Sequence, residues 1–228
     1  MEKNSKCFRT IWVRLVYKIM KVLELFAGSC SFSNVAATYG FETYTTDIKQ
    51  FGDIDNVSDI FDFDYKNLDL QPDIIWASPP CTTFSIASCG KHWTAPDENN
   101  LRYPKTNEAE IGLKILKKTI EIMHYLNPKY YFIENPRGLM RKMLLVQPFP
   151  RYTVSYCQYG DTRMKPTDIW TNLEFDAKLC KNGASCHESA PRGSRTGTQG
   201  LKNNHERSKI PYLLCREIIE TILHKEND

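Results

Sequence analysis

The chain has 228 residues, 41% of them hydrophobic and 25% charged, with a formal net charge of +3. That fits one globular α/β domain and is too short for two large ones. No run approaches the ~20 apolar residues of a membrane span, and no secretory leader is visible, so the eight cysteines are expected as free thiols in a reducing cytoplasm.

Residues 1–19 read as an N-terminal extension, an amphipathic helix carrying Phe8, Ile11, Trp12, Leu15 and Ile19, with Met20 as a natural start. Residues 20–26 (MKVLELF) are predicted as a short buried strand that turns at Ala27-Gly28-Ser29. A helix over 31–39 stops at Gly40. A strand over 41–46 ends at Asp47, and a short one precedes Asp59. A fourth, over 73–77, runs directly into Ser78-Pro79-Pro80-Cys81. Residues 82–106 show no periodicity and are expected as a long loop, a length that more often serves function than not. Apolar spacing predicts a helix over 107–126, closed by Asn127-Pro128. A strand over 130–133 leads into Glu134-Asn135-Pro136. Strands are expected near 151–158 and 168–172, a loop over 176–206, and a closing helix over 210–224.

Strands alternating with helices predict a doubly wound, mostly parallel sheet. Ligands bind at the carboxyl ends of such strands. Gly28, Asp47, Asp59, Cys81 and Glu134 all fall there. The glycine turn with an acid 19 residues later is the pattern of a nucleotide-like cofactor site, in which the acid meets ribose hydroxyls; an ordinary turn and a surface aspartate are the plainer alternative. Cys81 stands behind two prolines at a strand end. A free thiol is only slightly ionised at neutral pH, so a nucleophile there needs a cationic or helix-dipole neighbour. Cys30, Cys89 and Cys215 lack that context and read as packing residues. Glu134 is placed to give a proton or hydrogen bond to a substrate ring nitrogen, or else to cap a helix starting near Pro136. Arg163 and Lys165 could hold a phosphate or a base oxygen. Residues 42–73 carry nine acids against two lysines, and residues 137–209 carry thirteen basic residues against six acids. That asymmetry fits a polyanion bound on one side.

The order Phe26-Ala27-Gly28, Asp47, Pro79-Pro80-Cys81-Thr82-Thr83-Phe84-Ser85, Glu134-Asn135-Pro136, Arg163-Met164-Lys165 resembles the cytosine-5 DNA methyltransferases over about residues 20–172. The likeness resumes at residues 208–217. It implies a Rossmann-like, S-adenosylmethionine-dependent fold. Phe26, Ala27, Gly28, Ser29, Ile48 and Pro79 would line the cofactor pocket, Asp47 would meet the ribose, and Asp59 and Ile60 the adenine. Cys81 would be the nucleophile, Glu134 the partner of the cytosine N3 edge, and Arg163 a support for the base. Ser85, Lys165, Arg192 and Arg195 would contact the nucleic acid. The loop over 82–106, with Lys91, His92, Trp93 and Arg102, would close over a base flipped out of DNA.

The chain departs from the family in having Thr82 where glutamine is common, Pro136 for valine, and Lys165 for a second arginine, which loses the bidentate fork. Residues 173–207 are too few for a separate recognition core. That implies short or relaxed specificity or an accessory specificity protein, and the compactness resembles phage or bacterial members. The implied layout is an extension (1–19), a catalytic domain (20–172), a recognition or loop segment (173–207) and a C-terminal helix completing the catalytic domain (208–228). Cys180, Cys186 and His187, with Cys157 or His205 as a fourth, invite a zinc reading, but the spacing is not C-x2-C and no metal is expected. RNA or a free cytosine nucleotide as substrate, or a silent nucleic-acid-binding relative, remain the alternatives.

Overall fold

The computed structural model describes residues 19–189 and 203–227. The helix expected over 1–19 therefore lies almost wholly outside the described residues, as do Arg192 and Arg195.

Twelve elements follow in chain order: β1 (Lys21–Leu25), α1 (Ser31–Thr38), β2 (Glu42–Asp47), β3 (Asn56–Val57), β4 (Ile74–Ala77), α2 (Cys89–His92), α3 (Asn107–Leu126), β5 (Tyr130–Pro136), β6 (Arg151–Ser155), β7 (Pro166–Thr171), α4 (Asn204–Ser208) and α5 (Tyr212–Asn227). The strands form one sheet in the order β3-β2-β1-β4-β5-β7-β6. The first five run parallel, and β7 and β6 join antiparallel at the end. The doubly wound, mostly parallel expectation is borne out.

Period-two alternation divides the sheet between two cores. Val22, Ile74, Trp76, Tyr130 and Phe132 face α1 and α5, where Trp76 stacks between Phe32 (4.6 Å) and Phe132 (5.3 Å). Leu23, Leu25, Ile75, Ala77 and Ile133 face α3. Helices on both faces leave only the strand ends to meet a ligand. α3 starts where Thr106 accepts from the Ala109 amide at 3.3 Å and ends at Asn127 in the left-handed region, with φ of 44°.

Three expectations need correction. First, residues 82–106 are not structureless. They carry α2 and a Trp93–Pro104 bridge, and Trp93 is buried against Phe84 with its indole N–H donating to the Thr83 carbonyl at 3.0 Å. His92 bonds Thr106 (2.7 Å), and Arg102 donates to the Thr94 carbonyl (2.9 Å). His92, Trp93 and Arg102 thus hold the loop together, and Lys91 is exposed. Second, β5 does not stop at Ile133: antiparallel pairing with β7 carries it through Glu134 and Asn135 to Pro136. Third, no α-helix starts near Pro136. A 3-10 turn over Leu139–Lys142 follows, so Glu134 has no helix to cap there.

Candidate active site

The turn after β1 is built from three left-handed residues, Phe26 (φ 59°), Gly28 (φ 53°) and Cys30 (φ 51°). Two of these are not glycine, a strained arrangement. A methyl group on Gly28 would meet only the Phe26 carbonyl, at 3.9 Å, so glycine serves the backbone angle here and relieves no crowding. Asp47, at the end of β2, accepts from the Gly28 amide at 3.0 Å through Oδ2 and from the Lys49 amide at 3.0 Å through Oδ1. One carboxylate thus ties the first two strand ends together.

Beside it lies a small pocket lined by Phe26, Asp47, Ile48, Asp59, Ile60, Pro80 and Ile115, among others. It is an apolar slot with carboxylates at its rim. Phe26 and Pro80 are shared with a larger cleft of about 460 Å³. Ala27, Gly28, Ser29, Pro79, Cys81, Ser85, Glu134 and Lys165 all line that cleft. Every expected cofactor residue therefore borders one pocket or the other.

Sequence reasoning missed Glu24, which also lines the cleft. It is a lone acid in an apolar central strand, a signal that could have found it. Its oxygens accept from the amides of Phe32 (3.3 Å) and Ser33 (2.8 Å) at the start of α1. Burial nonetheless pushes its carboxyl up to about 7.

Cys81 is half-buried at the mouth of the cleft. Burial raises its thiol pKa and the charge of Glu134 raises it further, while Lys165 and Arg207 pull it down. Glu134 is buried, with Oε1 accepting from the Tyr156 hydroxyl at 2.9 Å. Lys165 lies 4.4 Å from the centre of the Tyr156 ring and donates to the Arg207 carbonyl at 3.0 Å. Burial lowers the Lys165 ammonium's pKa, and Glu134 opposes that. Lys165 also holds a left-handed backbone (φ 25°) before Pro166, a strained geometry typical of functional positions. Asn135 donates to the Pro79 carbonyl at 2.8 Å and thereby ties the glutamate strand to the Pro-Pro-Cys turn.

Arg163, expected as a support for the base, is not among the residues that line the cleft with Cys81. It is buried with its fork on Asp161 (Nε to Oδ1 2.9 Å), and it donates to the Arg207 carbonyl at 3.1 Å. It faces a different pocket from Cys81. Its bonds tie the loop before β7 to the stretch at 206–207. Lys165 and Arg207 are the cations that border the cleft. Arg207 was missed, although it directly precedes the Ser208-Lys209-Ile210-Pro211 stretch in which the family likeness resumes.

Cys157, Cys180, Cys186 and His187 come together with their donor atoms within 4.8 Å of one another. His205 lies elsewhere, stacked 5.1 Å from Phe51. Cys157, one of the two fourth partners that the sequence offers, joins the group from the turn after β6.

A doubly wound sheet with acids at its first strand ends and a cysteine, a glutamate and a lysine around one cleft defines a methyltransferase-type α/β enzyme. The C-5 cytosine-specific DNA methylase family profile matches residues 19–145. The chain is 34% identical over 181 residues to a "Probable DNA (cytosine-5)-methyltransferase" of Frog virus 3 (isolate Goorha), covering 73% of this chain and 78% of that one. The chain belongs to the C-5 cytosine-specific DNA methylase family, which implies S-adenosylmethionine as its methyl donor. Among solved structures, the Entamoeba histolytica methyltransferase EhMeth shares the fold with a TM-score of 0.50 at 16% identity. That match covers 72% of this chain and 58% of the Entamoeba chain. No helix among the described residues is long and apolar enough to cross a membrane.

Proposed function

We propose that the chain methylates carbon 5 of cytosine in DNA through a covalent bond between Cys81 and carbon 6. The observation that carries this reading is the meeting of Cys81, Glu134 and Lys165 in a cleft that shares Phe26 and Pro80 with the Asp47–Asp59 pocket. The lining fits S-adenosylmethionine. An apolar slot rimmed by Asp47 and Asp59 suits an adenosine, and the buried Glu24 carboxyl suits the cationic methionine end. When bound there, the cofactor supplies an electrophilic methyl group.

The remaining work falls to the chain's own residues. Carbon 5 of cytosine is a weak nucleophile until addition at carbon 6 removes the ring's aromaticity. The Cys81 thiolate adds to carbon 6 and places electron density on carbon 5 and N3, where Glu134 holds a proton or a hydrogen bond. After methyl transfer, loss of the carbon 5 proton and expulsion of Cys81 restore the aromatic ring. Tyr156 fixes the Glu134 carboxylate from behind, and Lys165 offsets its negative charge beside the thiol.

The charge of Glu134 also suppresses the thiolate in the free enzyme. A proton taken up by Glu134 and shared with N3 removes that charge, so the Cys81 thiol ionises when the base arrives. In duplex DNA the base must first leave the stack. Ser85, with Ile86 71% exposed beside it, stands at the cleft edge where the duplex would lie. The 173–207 segment gives a short or relaxed target site, or leaves selection to an accessory protein. Free thiols at all seven described cysteines suit a reducing cytoplasm.

The test offers labelled S-adenosylmethionine with duplex DNA, transfer RNA or dCMP. Label on cytosine carbon 5 of the duplex is expected. Label confined to RNA or to the free nucleotide would replace DNA as the substrate.

A further inference from the structure

Hydrophobic packing holds only the start of the segment after β7, where Phe175 and Ala177 lie against the core and the Phe175 ring is 5.1 Å from that of Tyr152. Leu173 is fully buried, but no residue from 174 to 189 is, and Leu179 is 63% exposed. The segment is nonetheless laid in register along the β6–β7 region. The Ser155 amide donates to the Lys178 carbonyl (2.9 Å), the Cys180 amide to Ser155 Oγ (3.0 Å), and the Glu188 amide to the Thr162 carbonyl (2.8 Å).

At the centre of this arrangement stand Cys157, from the turn after β6, and Cys180, Cys186 and His187 from the segment itself. Cys180 Sγ lies 3.3 Å from Cys186 Sγ and 3.7 Å from His187 Nδ1, and Cys186 Sγ lies 3.5 Å from the same nitrogen. In a tetrahedral zinc site with Zn–S of about 2.3 Å and Zn–N of about 2.0 Å, ligand atoms are separated by about 3.8 Å (S to S) and about 3.5 Å (S to N). The sulfur–nitrogen separations of 3.7 and 3.5 Å sit at that value, the two sulfurs at 3.3 Å are closer than a bound ion would hold them, and all four donor atoms lie within 4.8 Å of one another. A disulfide needs sulfurs about 2.05 Å apart and gives the imidazole and the third thiol nothing to do.

We propose that Cys157, Cys180, Cys186 and His187 bind one structural zinc ion that staples residues 173–189 to the loop carrying Arg163 and Lys165. Three thiolates and an imidazole are a soft donor set that selects zinc over magnesium or calcium. Four protein ligands leave no open coordination position, which marks a structural site and not a catalytic one. The Gln158 amide nitrogen lies 3.5 Å from Cys186 Sγ and 3.8 Å from Cys157 Sγ, where it offsets thiolate charge as outer-sphere donors do. Metal coordination thus replaces the core that the segment is too short to form. Its functional consequence follows from the backbone β-bridge between Arg163 and Glu188, which joins the stapled segment to the loop that presents Lys165 to the cleft.

Elemental analysis of the full chain, purified under reducing conditions without chelator, tests this independently of methyl transfer. One zinc per chain is expected, and cobalt exchange should give the visible bands of tetrahedral cobalt with thiolate charge transfer. Cys186→Ser should abolish both signals. His187→Cys, which keeps four ligands, and Cys89→Ser, outside the cluster, should retain them. Chelation should lower the melting temperature of the wild type. Zinc far below one per chain, a cobalt spectrum unchanged in Cys186→Ser, or a Cys180–Cys186 disulfide in the reduced-purified protein would overturn the proposal.

Discussion

The chemistry of Cys81 is set by groups that oppose one another. Burial and the Glu134 charge hold its thiol protonated, and Lys165 works against both. Glu134→Gln should therefore speed iodoacetamide alkylation of Cys81 in the free enzyme while it lowers methyl transfer by roughly 10²-fold or more, the usual weight of a general acid. Lys165→Met should slow the same alkylation. Equal alkylation rates in all three proteins would remove the electrostatic account.

Glu24 makes a separate prediction. Its carboxyl titrates near 7 in the fold against an ordinary 4.5, so between those values the folded chain holds a proton that the unfolded chain has lost. Its contribution to stability is complete below about pH 4.5 and declines as pH rises through 7, by on the order of 3 kcal/mol. Thermal melts of the cofactor-free protein should fall over that window, and Glu24→Gln should flatten the fall. Parallel curves would contradict the assignment. At this scale the sequence was legible where a residue type carries its own chemistry, as with Cys81, Glu134 and Asp47. It did not show where Arg163 points, because a motif position does not fix the direction of a guanidinium. Asp161, two residues away, takes up that fork.

At the scale of elements, the Pro-Pro-Cys turn is held from two sides by glycines. A methyl group on Gly138 would lie 2.4 Å from the Phe84 carbonyl, and one on Gly112 of α3 would lie 2.8 Å from the Thr83 hydroxyl. The Leu139 amide donates to that same Phe84 carbonyl at 2.7 Å, so backbone meets backbone and Gly138 has no room to yield. Gly138→Ala should destabilise the fold by ~1–3 kcal/mol and lower kcat through displacement of Cys81, whereas the affinity for S-adenosylmethionine should hardly change. Loss of cofactor affinity in equal measure would show that the two pockets move together.

The half-buried Arg141 pairs with the fully buried Asp168 and fastens the turn after β5 to β7, with Nε 2.8 Å from Oδ2. Arg141→Ala leaves that carboxylate the Thr153 hydroxyl but no cation, and should cost ~3 kcal/mol in denaturant unfolding. Element boundaries were most legible where local rules act alone. The helix over 107–126 is matched residue for residue by α3, whose cap residues are in the sequence. The continuation of β5 through Glu134-Asn135-Pro136 was not legible, since it depends on antiparallel pairing with β7, which follows 30 residues later. The internal order of residues 82–106 was hidden for a similar reason: Trp93 is fixed by Phe84 and Thr83, contacts that carry no periodicity.

For the whole molecule, the alternating pattern and the polar residues at strand ends were enough to predict a doubly wound sheet with its ligands along one edge. The fold divides the labour as the charge pattern does: acids gather at β1 to β3, where a cationic cofactor fits, and cations at β7 and before α5, where a polyanion fits. What tests the account most directly is trapping on duplex DNA containing 5-fluorocytosine, whose carbon 5 cannot release a proton after methylation. The wild type should form a denaturant-resistant protein–DNA adduct that requires S-adenosylmethionine, and Cys81→Ser should form none. An adduct of equal yield with Cys81→Ser would contradict the central claim.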